Sequence, residues 1–183
     1  MKKDNLPYIA EIVRKHDPDR FLISLFAPED KRHALWALFA FNYEIAKTRE
    51  VVTDTTLGLI RLQWWRDELA KIYDHKTPSD NEILFILKDA IHTYDLDQDE
   101  FMSLLHAREF DLENVLPTSI KGLGTYIDHT QAPLIRLATQ IWDGSREGED
   151  IEHLASGYGL IGMLRAVPFH ASQERCYIPS ELL

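Results

Sequence analysis

The stretch APEDKRHALWALFAFNYEIAKTRE, residues 27–50, carries the strongest secondary-structure signal in the chain. It opens with Pro28 and the acidic pair Glu29 and Asp30, which suit the first turn of a helix. Apolar residues then recur at a spacing closer to the helical period than to the alternation of a strand. These residues are Leu35, Leu38, Phe39, Phe41 and Ile45. The pattern predicts one long helix with an apolar face, continuing through residues 39–52.

Helical periodicity also dominates on both sides of that stretch. Apolar stripes run through the other segments, and no alternating strand pattern or Asn-Gly hairpin signal competes with them. Pro18 and Pro133 should interrupt two of these helices. The segments are 6–16, 53–75, 79–96, 97–115, 123–143 and 149–172. The fold is therefore predicted to be all-α, a single domain over residues 1–183 with roughly seven or eight helices.

Composition and charge exclude several classes of protein. A chain of 183 residues with 45% hydrophobic content can build one core, and a formal charge of −10 lacks the basic footprint of a nucleic-acid binder. Cys176 is the only cysteine, so an intramolecular disulfide is excluded and a reducing compartment is favoured. The N-terminal stretch has no signal-peptide pattern, and no apolar run approaches the roughly 20 residues of a transmembrane helix. These features predict a cytoplasmic protein.

A ladder of polar residues interrupts the apolar pattern at residues 42–50. It mixes both signs of charge at Glu44, Lys47 and Glu50, whereas a Mg²⁺ site needs a set of oxygen ligands dominated by carboxylates. The chain also lacks a phosphate-binding Gly-rich loop, H-E-x-x-H, paired CxxC and G-x-S-x-G. Two interpretations stay open: a plain polar helix face, or the wall of a pocket for a polar ligand.

Two adjacent tryptophans lie in the segment 53–75. Neighbouring helical residues point about 100° apart, so Trp64 and Trp65 cannot both be central to one narrow stripe. Trp65 shares a face with Leu62 and Leu69. We therefore predict that Trp65 is in the core and that Trp64 lies at a rim or pocket.

Three blocks of sequence resemble the squalene/phytoene synthase family, the head-to-head branch of the all-α isoprenoid synthases. They are FLISLFAPEDKRHALWALFAFNYEIAKTRE (21–50), LGLIRLQWWRDELAKIY (57–73) and YGLIGMLRAVPFHASQERCYIPSELL (158–183). The blocks stand in the family's order and end on its RxYxP element at Arg175, Tyr177 and Pro179. The resemblance runs from about His16 to the last residue and implies an isoprenoid synthase-like helical bundle. Since that family continues with further helices, it also implies a chain truncated at the C-terminus.

The resemblance implies a chemistry that this sequence only partly supports. In the family, Mg²⁺ held by Asp residues on facing helices stabilises the diphosphate leaving group. The first acidic motif falls on 43–50, where its opening acidic pair becomes Ala46 and Lys47 and only Glu50 keeps a carboxylate. The basic pair that would precede it becomes Tyr43 and Glu44.

The second motif of the family falls on 159–170. Its Gln and Asn positions become Gly159 and Gly162, its two Asp positions become Ala166 and His170, and Arg165 alone is kept. Near the N-terminus, the family's phosphate contact is replaced by the acids of Asp17-Pro18-Asp19, which would repel a diphosphate. The degenerate motifs imply a protein without a metal site or cofactor.

One non-catalytic branch of the family shows the same departures. It is represented by the mitochondrial assembly factor of respiratory complex I. Two sequence motifs of that factor are similar to GLIRLQWWRD (58–67) and LRAVPFH (164–170) here. The resemblance implies a synthase-like pseudoenzyme with a protein partner in respiratory-complex assembly, and the lack of a transit peptide favours a bacterial, cytoplasmic protein. An isoprenoid or other apolar ligand and a peripheral membrane contact are further expectations. The alternative is a divergent prenyltransferase that condenses prenyl diphosphates head-to-head and uses Mg²⁺.

The candidate pocket consists of the residues that occupy or adjoin the family's motif positions. They are Tyr43, Glu44, Lys47, Glu50, Arg61, Arg165, His170, Arg175 and Tyr177. Because a buried guanidinium needs a partner, Arg165 is predicted to lie within salt-bridge reach of Glu44 or Glu50 across the cavity.

Overall fold

A computed structural model describes residues 6–113, 118–146, 148–172, 176 and 178–182, and these ranges contain ten α-helices, one 3₁₀ turn and no strand. The predicted all-α class is confirmed. The helices are α1 Tyr8–His16, α2 Pro18–Ser24, α3 Glu29–Ala46, α4 Thr48–Val51, α5 Thr55–Tyr73, α6 Glu82–Tyr94, α7 Gln98–Leu112, α8 Ile120–Thr130, α9 Ala132–Asp143 and α10 Glu149–Ser172, with the 3₁₀ turn at Ser180–Leu182. Within the described ranges, no helix is long and apolar enough to cross a bilayer.

Helix α3 is the centre of the bundle. Every residue from 34 to 42 is buried, and α1, α2, α6, α7 and α9 all pack against the helix. The prediction of a single apolar face was therefore wrong for α3. Because neighbours surround it, small Ala34, Ala37 and Ala40 alternate with large apolar side chains and allow close packing on every side.

Three breaks separate neighbouring helices, and the short helices α2 and α4 bring the number above the seven or eight predicted. Pro18 starts α2 directly after α1, and Pro133 lies in the first turn of α9, as expected. The third break, at Lys47, was not predicted. There the backbone has φ −69° and ψ −8°, and Val52 beyond α4 is extended. The β-branched Thr48, Val51 and Val52 hold a helix poorly, which favours this ending.

Side-chain caps begin five of the helices. The side chains of Asp17, Asp54, Asn81, Asp97 and Ser119 accept hydrogen bonds from backbone N–H groups in the first turns of α2, α5, α6, α7 and α8. Each cap satisfies a donor that the helix itself leaves unpaired.

The two tryptophans of α5 lie where the sequence placed them. Trp65 is 2% exposed and packs edge-on against Phe41 of α3, with ring centroids 5.3 Å apart. Trp64 is 38% exposed. The prediction of one core and one rim tryptophan is confirmed.

Helix α10 packs mainly on α8 and α9. Gly159 makes this packing possible, because a Cβ there would lie 2.5 Å from Cγ2 of Ile127 and 3.0 Å from Cγ of Gln131. The helix also exposes several large apolar side chains. They are Leu154, Leu160, Ile161, Leu164 and Phe169.

Candidate functional site

A polar cleft of about 460 Å³ opens between the α1–α2 junction and helices α8 and α10. Residues 16–20 form one wall, and the second-motif residues Gly162, Arg165 and Ala166 of α10 form the opposite wall. We call this space the polar cleft. It therefore brings together the positions that the resemblance assigned to phosphate and to the second acidic motif.

Arg20 is the best-anchored charge in the polar cleft. Its Nη1 donates to Oδ2 of Asp17 at 2.5 Å, and its Nη2 donates to Oε1 of Gln131 at 2.7 Å. Its guanidinium carbon also lies 4.6 Å from the ring centroid of Tyr158 and 5.9 Å from that of Phe39. Two hydrogen-bonded partners and two aromatic faces fix the group in one orientation.

Arg165 pairs with Asp19 at the opposite side of the same cleft. The predicted salt bridge between Arg165 and Glu44 or Glu50 was wrong. Asp19, at the start of α2, lies against α10 and takes the guanidinium, and the oxygens of Glu44 are already used by other cations. The prediction assumed that the Arg165 guanidinium is buried, whereas its side chain is 66% exposed.

The end of α3 forms a second, separate charged group. Oε1 of Glu44 accepts from Nζ of Lys47 at 2.5 Å, and Oε2 accepts from Nη2 of Arg61 at 2.7 Å. We call these three residues the Glu44 triad. The triad lines a different cleft, shared with Tyr8 of α1 and residues 81–83 at the start of α6.

His16 connects the two charged groups. Its ring stacks on Tyr43 with centroids 4.1 Å apart, and Nζ of Lys47 lies 4.8 Å from the same tyrosine ring. Loss of hydration lowers the pKa of His16 although the residue is exposed, and the charges of Lys15 and Lys47 lower it further. The imidazole is therefore mainly neutral at pH 7 and adds no charge to the polar cleft.

The predicted site residues thus divide into two places. Tyr43, Glu44, Lys47 and Arg61 come together at the end of α3, while Arg165 lies across the polar cleft and Glu50 is exposed on α4. His170 belongs to α10, and Arg175 and Tyr177 lie outside the described residues.

The residues at the end of α3 do not fit the Mg²⁺ cluster that the fold family implies. Both Glu44 oxygens are held by cations, and Lys47 occupies a position where a ligand would be required. Among the described residues, no three His, Cys, Asp or Glu side chains come together as a metal site. Glu50 alone offers a carboxylate, whereas Mg²⁺ takes a near-octahedral set of oxygens.

An apolar cavity of about 330 Å³ adjoins the polar cleft. Leu35 and Phe39 of α3, Ile135 and Trp142 of α9, and Leu154 of α10 line it. We call this space the apolar cavity. Arg20 and Tyr158 line both spaces, so the stacked pair forms their common wall.

Sequence reasoning missed Arg20, Gln131 and Tyr158. Gln131 falls at the break between α8 and α9, and Tyr158 comes from the block that carried the resemblance. A signal did exist for Arg20, because it directly follows the Asp17-Pro18-Asp19 element singled out as a phosphate position. Its contact with Gln131 spans 111 positions and could not be read from local pattern.

A buried polar network underlies the cleft and was also missed. The Arg108 guanidinium donates to Oδ2 of Asp111 at 3.1 Å and to Oδ1 of Asn42 at 3.5 Å. Tyr126, which lines the polar cleft, donates its hydroxyl to Oδ1 of Asp111 at 2.8 Å. Arg108 looks like an ordinary surface residue of an amphipathic helix, and only the packing of α3, α7 and α8 reveals its role.

Comparisons with known proteins found relatives with similar sequences and solved structures with a similar fold. The family model described as Squalene/phytoene synthase matches residues 13–183. The chain is 30% identical over 177 residues to "NADH dehydrogenase (ubiquinone) complex I, assembly factor 6" of Homo sapiens, covering 96% of this chain and 53% of that protein. It is 26% identical over 160 residues to presqualene diphosphate synthase of Rhodopseudomonas palustris, covering 85% and 56%.

A solved structure shares the fold. A crystal structure of a dehydrosqualene synthase in complex with ligand matches with a TM-score of 0.82 at 17% identity, covering 95% of this chain and 60% of that chain. The predicted isoprenoid synthase fold is confirmed. The chain spans about half the length of the curated relatives it matches.

Proposed function

Because the chain belongs to the squalene/phytoene synthase family, we propose that it is a non-catalytic member that acts as an assembly or binding factor. Its relative in Homo sapiens is named as an assembly factor of complex I. By analogy we assign this chain a role in assembly of a respiratory complex, through contact with a protein partner. The likeness in sequence supports the family, and the geometry of the site supports the loss of catalysis.

The observation that carries the proposal is the use of Glu44. Ionisation of a prenyl diphosphate needs metal ions to neutralise the leaving group, and those ions need several oxygen ligands on the motif helices. Here Glu44 is bound by Lys47 and Arg61 instead. Both oxygens of Glu44 are engaged by cations, and these cations would repel a divalent metal ion at the same carboxylate.

A second candidate function is supported by one match. Presqualene diphosphate synthase of Rhodopseudomonas palustris resembles 85% of the chain. A divergent prenyltransferase would have to use Glu50, the one motif carboxylate outside the triad. The two functions therefore make opposite predictions for Glu50→Gln.

The test is a deletion of the gene in its own organism followed by complementation. We expect the deletion to lower NADH:ubiquinone oxidoreductase activity in isolated membranes, and we expect both wild type and Glu50→Gln to restore it. Purified wild type, with farnesyl diphosphate and millimolar Mg²⁺, should release no diphosphate above a protein-free blank. The Rhodopseudomonas palustris enzyme serves as the positive control for that assay.

Three outcomes would overturn the proposal. Formation of presqualene diphosphate by the purified chain would establish catalysis. If wild type restores the oxidoreductase activity and Glu50→Gln does not, the Glu50 carboxylate is required for function. Unchanged oxidoreductase activity in the deletion strain would remove the assembly role.

A further inference from the structure

The wall between the polar cleft and the apolar cavity is a stacked pair of side chains. The Arg20 guanidinium lies over the Tyr158 ring, and both residues face both spaces. The two spaces, of about 460 and 330 Å³, therefore share a border that is one side-chain pair wide. One elongated molecule that lies across this pair could place two chemically different ends in the two spaces.

The apolar cavity determines the chemistry of one end. Aliphatic and aromatic carbon dominates its lining, from Leu35, Phe39, Ile135 and Leu154. Burial of an aliphatic chain in such a space is favourable in proportion to the apolar area removed from water. The volume falls at the lower end of the range for small-molecule sites, which suits a single chain.

The polar cleft determines the charge of the other end. Its charged lining residues are two acids and two arginines, and these form the pairs Asp17–Arg20 and Asp19–Arg165. Each pair is neutral, so a charged head group would meet no net opposite charge. A diphosphate would in addition lie close to both carboxylates and be repelled by them.

The Tyr158 hydroxyl supplies a recognition group at the boundary. In the part of the chain that is described, no side chain or carbonyl hydrogen-bonds to it, while its ring is held by Arg20. Burial raises the pKa of Tyr158, and Asp17 and Asp19 raise it further against the opposing effect of Arg20. The phenol therefore stays protonated and can donate to or accept from a neutral hydroxyl or carbonyl.

From these contacts we infer that the two spaces form one binding site for an uncharged amphiphile, with an alcohol or carbonyl head in the polar cleft and an aliphatic chain in the apolar cavity. The inference rests on the proposed non-catalytic function and names the ligand class of that site. It reverses the charge preference expected of a site that binds diphosphates. Asp17 and Asp19 occupy the arginines that an anionic head would need.

Equilibrium dialysis with two probes that share one chain tests this directly. Farnesol and farnesyl diphosphate carry the same apolar tail and differ only in the head group. Below the aggregation limit of farnesol, and without Mg²⁺, wild type should bind farnesol about tenfold or more tightly than farnesyl diphosphate. Tyr158→Phe should weaken farnesol binding by roughly fivefold, the loss expected for one neutral hydrogen bond.

The double variant Asp17→Asn with Asp19→Asn tests the charge argument. It frees Arg20 and Arg165 and should move the preference by about tenfold towards farnesyl diphosphate. Asparagine is as good a helix cap as aspartate, so the start of α2 is retained. The matched control is Asp74→Asn with Asp95→Asn, which breaks surface pairs with Lys76 and Arg146 and should leave the preference unchanged.

Ala138→Phe tests the tail by filling the apolar cavity. This variant should abolish farnesol binding. Its melting temperature shows whether it folds. If it does not fold, the aspartate variants still test the inference. Equal or tighter binding of farnesyl diphosphate by wild type would overturn the inference, as would no farnesol binding or an aspartate variant that behaves like its control. None of these results bears on turnover, so failure here is distinguishable from failure of the proposed function.

Discussion

The two charged groups of this protein, the Glu44 triad and the lining of the polar cleft, use ion pairs for different ends. At the end of α3 one carboxylate is held by two cations, and its side chain is 16% exposed. In the polar cleft each carboxylate holds one arginine, and the outer pair of Asp19 and Arg165 is 42% and 66% exposed. The first arrangement joins α3 to α5, whereas the second lines a cleft with neutral ion pairs.

The contrast separates two regions that the family resemblance singled out. At the first motif, Glu44 joins α3 to α5 through Arg61. Around residues 16–20, a polar cleft adjoins an apolar space. The proposed absence of a metal site and the presence of a cavity are therefore separate features, and separate experiments can test them.

The largest loss of stability is expected in the core between α3 and α5. Trp65→Ala removes a 2% exposed indole that packs on Phe41 and should lower the free energy of unfolding by about 3–5 kcal/mol. Trp64→Ala, on the same helix but 38% exposed, is the control and should cost about 1 kcal/mol. Urea unfolding of both variants makes the measurement. Equal losses would contradict the core and rim assignment.

The triad itself should give the next largest effect. Glu44→Gln leaves Lys47 and Arg61 without their carboxylate in a mostly buried place, so it should cost about 2–3 kcal/mol, less than a fully buried pair because Arg61 is partly exposed. Chemical denaturation with a two-state fit measures it. A stable Glu44→Gln protein would show that the triad is not structural and would break the comparison.

The outer pair of the polar cleft should matter little for stability. Asp19→Asn breaks an exposed ion pair with Arg165 and should cost less than about 1 kcal/mol. The same denaturation experiment provides the value beside Glu44→Gln. A loss as large as that of Glu44→Gln would mean that both groups are structural, and the contrast between them would disappear.

The smallest effect concerns His16, which lies between the two groups. Its pKa in the folded protein is below the ordinary histidine value of 6.5, so the unfolded chain binds more protons near that value. Stability should therefore fall slightly as the pH drops through about 6.5 and level off below the folded pKa. Comparison of wild type with His16→Gln between pH 5 and 7.5 isolates this contribution. A slope of the opposite sign in wild type alone would reject the assigned pKa shift.

Much of the fold could be predicted because its signals are local. Proline positions fixed the α1–α2 and α8–α9 breaks, and side-chain caps marked the starts of several helices. The all-round burial of α3 could not be predicted in this way. Apolar periodicity reports one face of a helix, and burial of the remaining faces depends on neighbours from distant parts of the chain.

The site was less predictable than the fold because its contacts are long-range. Glu44, Lys47 and Arg61, three of the residues in the predicted pocket, do come together. The predicted partner of Arg165 was wrong, because its partner Asp19 lies 146 positions away on α2. Motif positions indicate which residues are candidates for a site, but the partner of each charged side chain depends on how distant helices pack.

The most direct test of the account is a thermal shift with a non-hydrolysable farnesyl diphosphate analogue, measured with and without millimolar Mg²⁺. A ligand at about 100 times its dissociation constant stabilises the folded state by roughly 2.7 kcal/mol, so joint binding of metal and analogue would be visible. We expect Mg²⁺ to add nothing to the melting temperature measured with analogue alone, because Lys47 and Arg61 engage both oxygens of Glu44 and repel a metal ion there. A rise of several degrees that requires both Mg²⁺ and the analogue would contradict it.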